Sequence, residues 1–280
     1  MSATTDANRV TERASIAHGR GTLDLALEHV GSATRPRRCL AQAPLQLSRV
    51  RYDDSARPEQ AHLTIIQLGG ILSGDRYDLR VELGSAAAAQ ITTAAATQVY
   101  CMPHGEAEQH LSLRLAAGSR LAWLPEPLIL FAGSRFRQTI RIELGPNARL
   151  DLLDVLVPGR LARGEAFQFE SYTSHLEIVD SAGTCLAAEH ARLAPRRYAL
   201  DVPGVFGATP VLGSLYVLGD SVDGEAGSAW VARRCDPLLG ATTLPNACGL
   251  LVRTLGHSAH TVRRTLLEVR QALAAEGQIP

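Results

Sequence analysis

The chain has 280 residues with 28 basic and 28 acidic side chains, a formal net charge of zero, so it lacks the positive field of a general nucleic-acid binder. Every basic residue is Arg and none is Lys, which excludes a P-loop lysine, a Schiff-base lysine and a Ser–Lys dyad. Apolar residues make up 46% of the chain, yet there are only five Phe and two Met, so a sizeable core is available and must be mostly aliphatic.

The first 18 or so residues are small and polar without periodicity, which predicts a variable or disordered tail and a single domain over 19–280. No signal peptide is visible in this polar start, and no apolar run is long enough to cross a membrane. Five cysteines are scattered, odd in number and never in a C-x-x-C pair, a pattern of reduced thiols rather than of a disulfide framework. A cytoplasmic protein is the expectation.

From there, strict alternation dominates. Leu23, Leu25 and Leu27 alternate with polar or small residues; so do Tyr77, Leu79, Val81 and Leu83, then Leu111, Leu113 and Leu115, then Ile140, Ile142 and Leu144, then Leu176 and Ile178. A period of two predicts strands with one buried face and one wet face. Four of these strands run into a turn glycine (Gly84, Gly118, Gly145, Gly183) and a second apolar strand follows. Glycine supplies the positive φ of a tight hairpin turn. The fold class expected is therefore all-β: either stacked β-hairpins in a helicoid, β-solenoid-like arrangement, or an ordinary β-sandwich. Prolines and glycines between Ala194 and Gly227 predict a long loop before a strand over 211–218. At the C-terminal end, Val262, Leu266, Val269 and Leu273 form one apolar stripe, predicting a helix from Ser258 to about Glu276 with Arg263, Arg264 and Arg270 facing away.

Catalytic motifs are missing: there is no G-x-S-x-G, H-E-x-x-H, P-loop or strand-borne G-x-G-x-x-G. Two groups carry soft ligands, Cys101/His104/His110 and Cys235/Cys248/His257/His260, but neither has the paired spacing of a structural zinc site. Sharper candidates are carboxylates set among apolar strand residues: Asp75 after Ser73-Gly74, Asp154 within LDLLDVLV, and Glu177 between Leu176 and Ile178. A buried carboxylate must be paired, hydrogen-bonded or face a wet cavity. That leaves structural ion pairs, for example with Arg160 or Arg163, or an internal polar passage.

The stretch LGGILSGDRYDLRVELGSAAAAQITTAAATQVY, and above all LAWLPEPLILFAGSRFRQTIRIELGPNARLDLLDVLVPGRLARGEAF, resemble the urease accessory proteins of the UreD (UreH) family. Matching residues include Trp123, Pro125, Pro127, Gln138, Asp154, Arg160, Arg163 and Glu165; Gln98 departs from the family, which often has Lys there, and the stretch from Cys101 to His110 matches no family motif. The resemblance implies a β-rich helicoid stack with about two helices, acting not as an enzyme but as a scaffold. It implies partnership with UreF, through it the nickel-carrying GTPase UreG, and apo-urease, with no tightly bound cofactor and nickel only in transit through an internal tunnel. Weak oxygen ligands suit such transit because tight thiolate or imidazole sites would trap the ion. Asp75, Asp154 and Glu177 are the expected route. Trp123, Pro125, Pro127, Gln138, Arg160, Arg163 and Glu165 are expected to be structural or to meet partners. The rival classes are a secreted-type β-helical polysaccharide-active enzyme and a plain β-sandwich binding module.

Overall fold

The computed structural model describes residues 19–52, 57–234, 236 and 238–275. The expected N-terminal tail, Cys235, Glu276 and the helix-ending Gly277 lie outside these residues. Among the described residues, seventeen strands run in chain order: β1 (Arg20–Val30), β2 (Ala33–Gln42), β3 (Leu45–Leu47), β4 (Ala61–Gln67), β5 (Arg76–Leu83), β6 (Ala88–Thr93), β7 (Thr97–Val99), β8 (Ala107–Leu115), β9 (Arg120–Trp123), β10 (Leu128–Leu130), β11 (Arg135–Leu144), β12 (Arg149–Val157), β13 (Ser171–Asp180), β14 (Cys185–Leu193), β15 (Val211–Leu218), β16 (Leu239–Thr243) and β17 (Gly249–Gly256). Two helices, α1 (Gly224–Ala232) and α2 (Ala259–Ala275), flank β16 and β17 in sequence.

The first sheet has the order β14-β13-β11-β8-β5-β1-β2 and the second β16-β17-β15-β12-β9-β6-β4-β3, with β10 branching from β12 and β7 pairing beside β10. Within the first sheet, β1, β5, β8, β11 and β13 are all parallel. Within the second, β4, β6, β9 and β12 are parallel. The chain therefore alternates between sheets, one strand to each per coil, and the coils stack as a β-solenoid. An ordinary sandwich of antiparallel hairpins does not do this. Register turns the alternation into ladders: Leu25, Val81, Leu113, Ile142 and Ile178 sit side by side, each fully buried between the sheets.

The local turns differ from the hairpins expected at three of the four glycines. β5 and β6, β8 and β9, and β11 and β12 do not pair with one another; each couple arches from the first sheet to the second. The fourth, β13 and β14, is an antiparallel hairpin. At two arches the positive φ falls on Ala86 (58°) and Asn147 (53°) instead of the glycine. Gly145 is needed for another reason: a Cβ there would lie 2.9 Å from Leu115 O and Ala117 N of the coil below.

The second sheet is buried on both faces at β12, β15 and β17. Its inner face closes the core between the sheets, and its outer face packs on α1 and α2 through Leu153, Val155, Val211, Leu250 and Val252. Val262, Leu266, Val269 and Leu273 of α2 are buried as the stripe requires. Gly213 of β15 lets the helix sit close, since a Cβ would meet Val262 Cγ1 at 2.4 Å. Two of the arginines expected to face away do not. Arg263 pairs with Glu126 at 3.0 Å, and Arg270 Nε donates to Asp151 at 2.6 Å; Arg264 stays outward, 3.7 Å from Glu268. The helix α1, GEAGSAWVA, was not legible because its small residues make no stripe; its N-cap Asp223 accepts from Ala226 N at 2.9 Å.

Candidate functional site: an internal polar passage

Along β12, even positions point between the sheets and odd positions point to the helices. Leu150, Leu152 and Leu156 join the inter-sheet core, and Leu153, Val155 and Val157 the helix-side core. Asp154 thus replaces an aliphatic side chain on the inner face. The sheet register places it beside Ser214 of β15, and Ser214 beside Arg253 of β17.

Two adjoining cavities meet at this carboxylate. Each encloses ≈ 70 Å³, and Ile140, Leu152 and Asp154 line both. That volume admits a few waters. One cavity runs toward Gln67, Thr97, Gln109, Glu126 and Gln138. The other runs toward Tyr172, Ser174, Glu189, Ser214, Tyr216 and Arg253. Together they string a few polar side chains through a mostly aliphatic interior, with Asp154 at the joint.

None of the described residues donates a hydrogen bond to Asp154, although it lies deep in the protein; the surface it keeps belongs to the cavities. Burial pushes its pKa up to about 6, with the nearby Glu189 adding to the rise and Arg253 opposing it. The rest of the second cavity is knitted together. Arg253 Nη2 donates to Glu189 Oε1, Arg253 Nε to Ser214 Oγ at 3.3 Å, and Tyr216 OH to Glu189 Oε2 at 2.9 Å. Tyr172 OH donates to Gln138 Oε1 at 3.2 Å. Burial and the surrounding carboxylates hold the Tyr172 and Tyr216 phenols well above their usual range.

The three carboxylates read from the sequence are not brought together. Asp75 is buried, but its oxygens accept from Gly19 N and Leu72 N, both at 2.8 Å, and lie 3.5 Å from Tyr77 OH. It clamps the entry of β1 to the turn before β5. Burial next to this carboxylate pushes the Tyr77 phenol up to about 12. Glu177 faces outward from the first sheet and pairs with Arg141 of β11, so the alternation that buries Leu176 and Ile178 turns it away from the passage. Trp123, Pro125 and Gln138 do line the first cavity with Asp154. Pro127 is buried just before β10.

Arg160, Arg163 and Glu165 form a separate loop around a 3-10 turn over Leu161–Arg163. Glu165 is buried, accepts from Ala132 N, and pairs with Arg160, whose guanidinium stacks 4.6 Å from the Phe131 ring. Burial raises the Glu165 pKa, but the Arg160 hydrogen bond, Ala132 N and the charges of Arg160 and Arg163 outweigh it, so the net shift is downward. Gly159 is required here, because a Cβ would fall 1.7 Å from Glu165 O. Arg163 is exposed. Among the described residues, no three His, Cys, Asp or Glu side chains gather as a metal cluster.

The sequence reading missed Glu189, Tyr172, Tyr216 and Arg253. A weak signal existed for Glu189, a carboxylate in an Ala- and His-rich strand, but nothing in one sequence says that β14 and β17 approach β12.

A family model described as UreD urease accessory protein matches residues 19–279. The chain belongs to this family. Its curated UreD relatives match nearly end to end. The urease accessory protein UreD of Haloarcula marismortui is 37% identical over 252 residues, covering 88% of this chain and 83% of the relative. That of Cenarchaeum symbiosum is 31% identical over 261 residues, covering 91% of each. Urease accessory protein UreD 2 of Streptomyces griseus is 35% identical over 259 residues, covering 90% and 88%. The matched span holds both the solenoid and α2, so the passage belongs to the UreD region itself. No helix among the described residues is long and apolar enough to cross a membrane.

Proposed function

We propose that this UreD-family chain is a non-catalytic cytoplasmic scaffold that helps load nickel into apo-urease, bound to UreF and through it to UreG, and that the ion travels the internal passage past Asp154. The observation that carries this reading is the meeting of two cavities, each mostly apolar but dotted with polar side chains, at one unpaired carboxylate inside an aliphatic solenoid. Asp154 offers the ion a negative oxygen ligand, while Gln138, Ser214 and the Tyr216 hydroxyl offer neutral ones. Such ligands replace hydration weakly and in succession, which suits an ion that must leave again. The route narrows to Asp154 of the three carboxylates first considered, because Asp75 is occupied by backbone donors and Glu177 faces outside. Arg160 is engaged with Glu165 and Phe131, so it holds the loop; the exposed Arg163 is the member of that motif offered to a partner.

The test is Asp154→Asn, co-expressed with UreF, UreG and apo-urease. The passage role expects an assembled complex and urease that contains at most about a tenth of the parent's nickel, taking the loss of one ligand as at least ten-fold. Urease loaded as well as with the parent would overturn the role of Asp154.

A further inference from the structure

The outer face of the hairpin β13–β14 holds a pair of histidines that the passage does not use. His175 and His190 are directly opposite in the antiparallel register, both exposed, with ring centroids 6.1 Å apart and planes at 73°. Directly opposed strand residues have Cβ atoms about 5 Å apart, which lets two imidazoles close on one ion by small rotamer changes. β14 is the edge strand of its sheet, so one side of the pair is open to solvent.

We infer that His175 and His190 form a surface chelate for a divalent transition-metal ion, with water completing its shell. Imidazole nitrogen favours nickel, copper and zinc over magnesium and calcium, which prefer oxygen. The immediate neighbours on this face define the donor set. Glu177, two residues along β13, is drawn to Arg141 and opposes the small Ala188, so it is not part of the pair. His110 lies two strands away across Thr139 and sits 3.5 Å from Glu108. On the other flank Arg192 opposes Thr173, a positive charge beside the ion position that weakens binding. The site therefore has two protein ligands and one adverse cation, and its occupancy follows the metal concentration. It needs no part of the passage reading.

The experiment is a nickel titration of the full-length chain, with nickel alone as the probe, paired with X-ray absorption of the loaded protein. Two imidazole nitrogens are expected in the nickel shell. His175→Asn and His190→Asn each weaken that binding event by about ten-fold or more, since losing a ligand costs at least as much as losing its supporting partner. Arg192→Gln strengthens it about two-fold, the screened effect of one charge at this range. Both histidines are exposed, so unchanged melting temperatures are expected for the Asn variants. Nickel binding by the double Asn variant equal to the parent's, or a nickel shell without imidazole scattering, overturns the inference.

Discussion

Asp151 and Asp154 lie three residues apart on the same strand and meet opposite fates. Asp151 points to the helix side, where Arg149 Nε and Nη2 reach one oxygen at 3.1 Å and Arg270 Nε reaches the other at 2.6 Å. Asp154 points between the sheets, where none of the described residues donates to it and burial lifts its pKa to about 6. One carboxylate is fixed by two guanidiniums and welds α2 to the second sheet. The other is left to the cavities. A buried carboxylate with full partners is structure; one without them is held there at a cost to stability, the mark of a functional-site candidate.

The contrast breaks most visibly at Asp151. Asp151→Asn leaves Arg149, itself 8% exposed, and Arg270 without their anion. Removing one partner of a buried ion group costs about 3–5 kcal/mol. For a domain of this size that is a fall in melting temperature of about ten degrees. Nickel loading per folded complex is expected to stay as in the parent. A variant that melts with the parent would mean that Asp151 and the arginines do not hold α2.

Asp154→Asn moves stability the other way. With the folded pKa raised to about 6, the folded chain holds this proton more tightly than the unfolded chain does. Stability therefore falls as pH rises from about 4 to about 6 and is level above, as far as this group is concerned. The amide removes that cost, so the variant is more stable than the parent above pH 6, by at most about 3 kcal/mol, and the two converge near pH 4. Denaturant unfolding at pH 4.5 and 7.5 measures it. A destabilised Asn variant at pH 7.5 would reveal an ion partner for Asp154 and return it to the class of Asp151.

The same strand shows what a sequence can and cannot give. Alternation placed the core-facing residues of β5, β8, β11 and β13 correctly because each of these strands has one wet face. β12 is buried on both faces, so LDLLDV carries no sign of which acid faces which core. Asp154 stood out through its apolar neighbours and then its family-like motif, whereas Asp151 passed unnoticed because its partner Arg270 lies more than a hundred residues away on a helix. The arches read as hairpins for a related reason: strand–Gly–strand has the same pattern whether the second strand folds back beside the first or crosses to the opposite sheet. Only the stacking of the next coil decides, and that is a tertiary choice.

Glu177 is the smallest and most discriminating case, since its apolar neighbours in sequence made it look like Asp154. Its side chain is 31% exposed and that of Arg141 is 50% exposed, on a surface that water and salt reach. The outer face is a lattice of such pairs, with Arg114 and Glu143 at 3.0 Å in the next row. Exposed pairs contribute about 0–1 kcal/mol and weaken as salt screens them. Glu177→Gln is therefore expected to lower stability by less than about 1 kcal/mol, and by less still at high salt, with urease nickel content unchanged. A nickel deficit in a variant that folds and assembles would place Glu177 on the ion's path despite its outward face. The passage would then have to continue over the outer surface of the first sheet, because the alternation of β13 leaves Glu177 no way to turn inward without carrying Leu176 and Ile178 out to solvent.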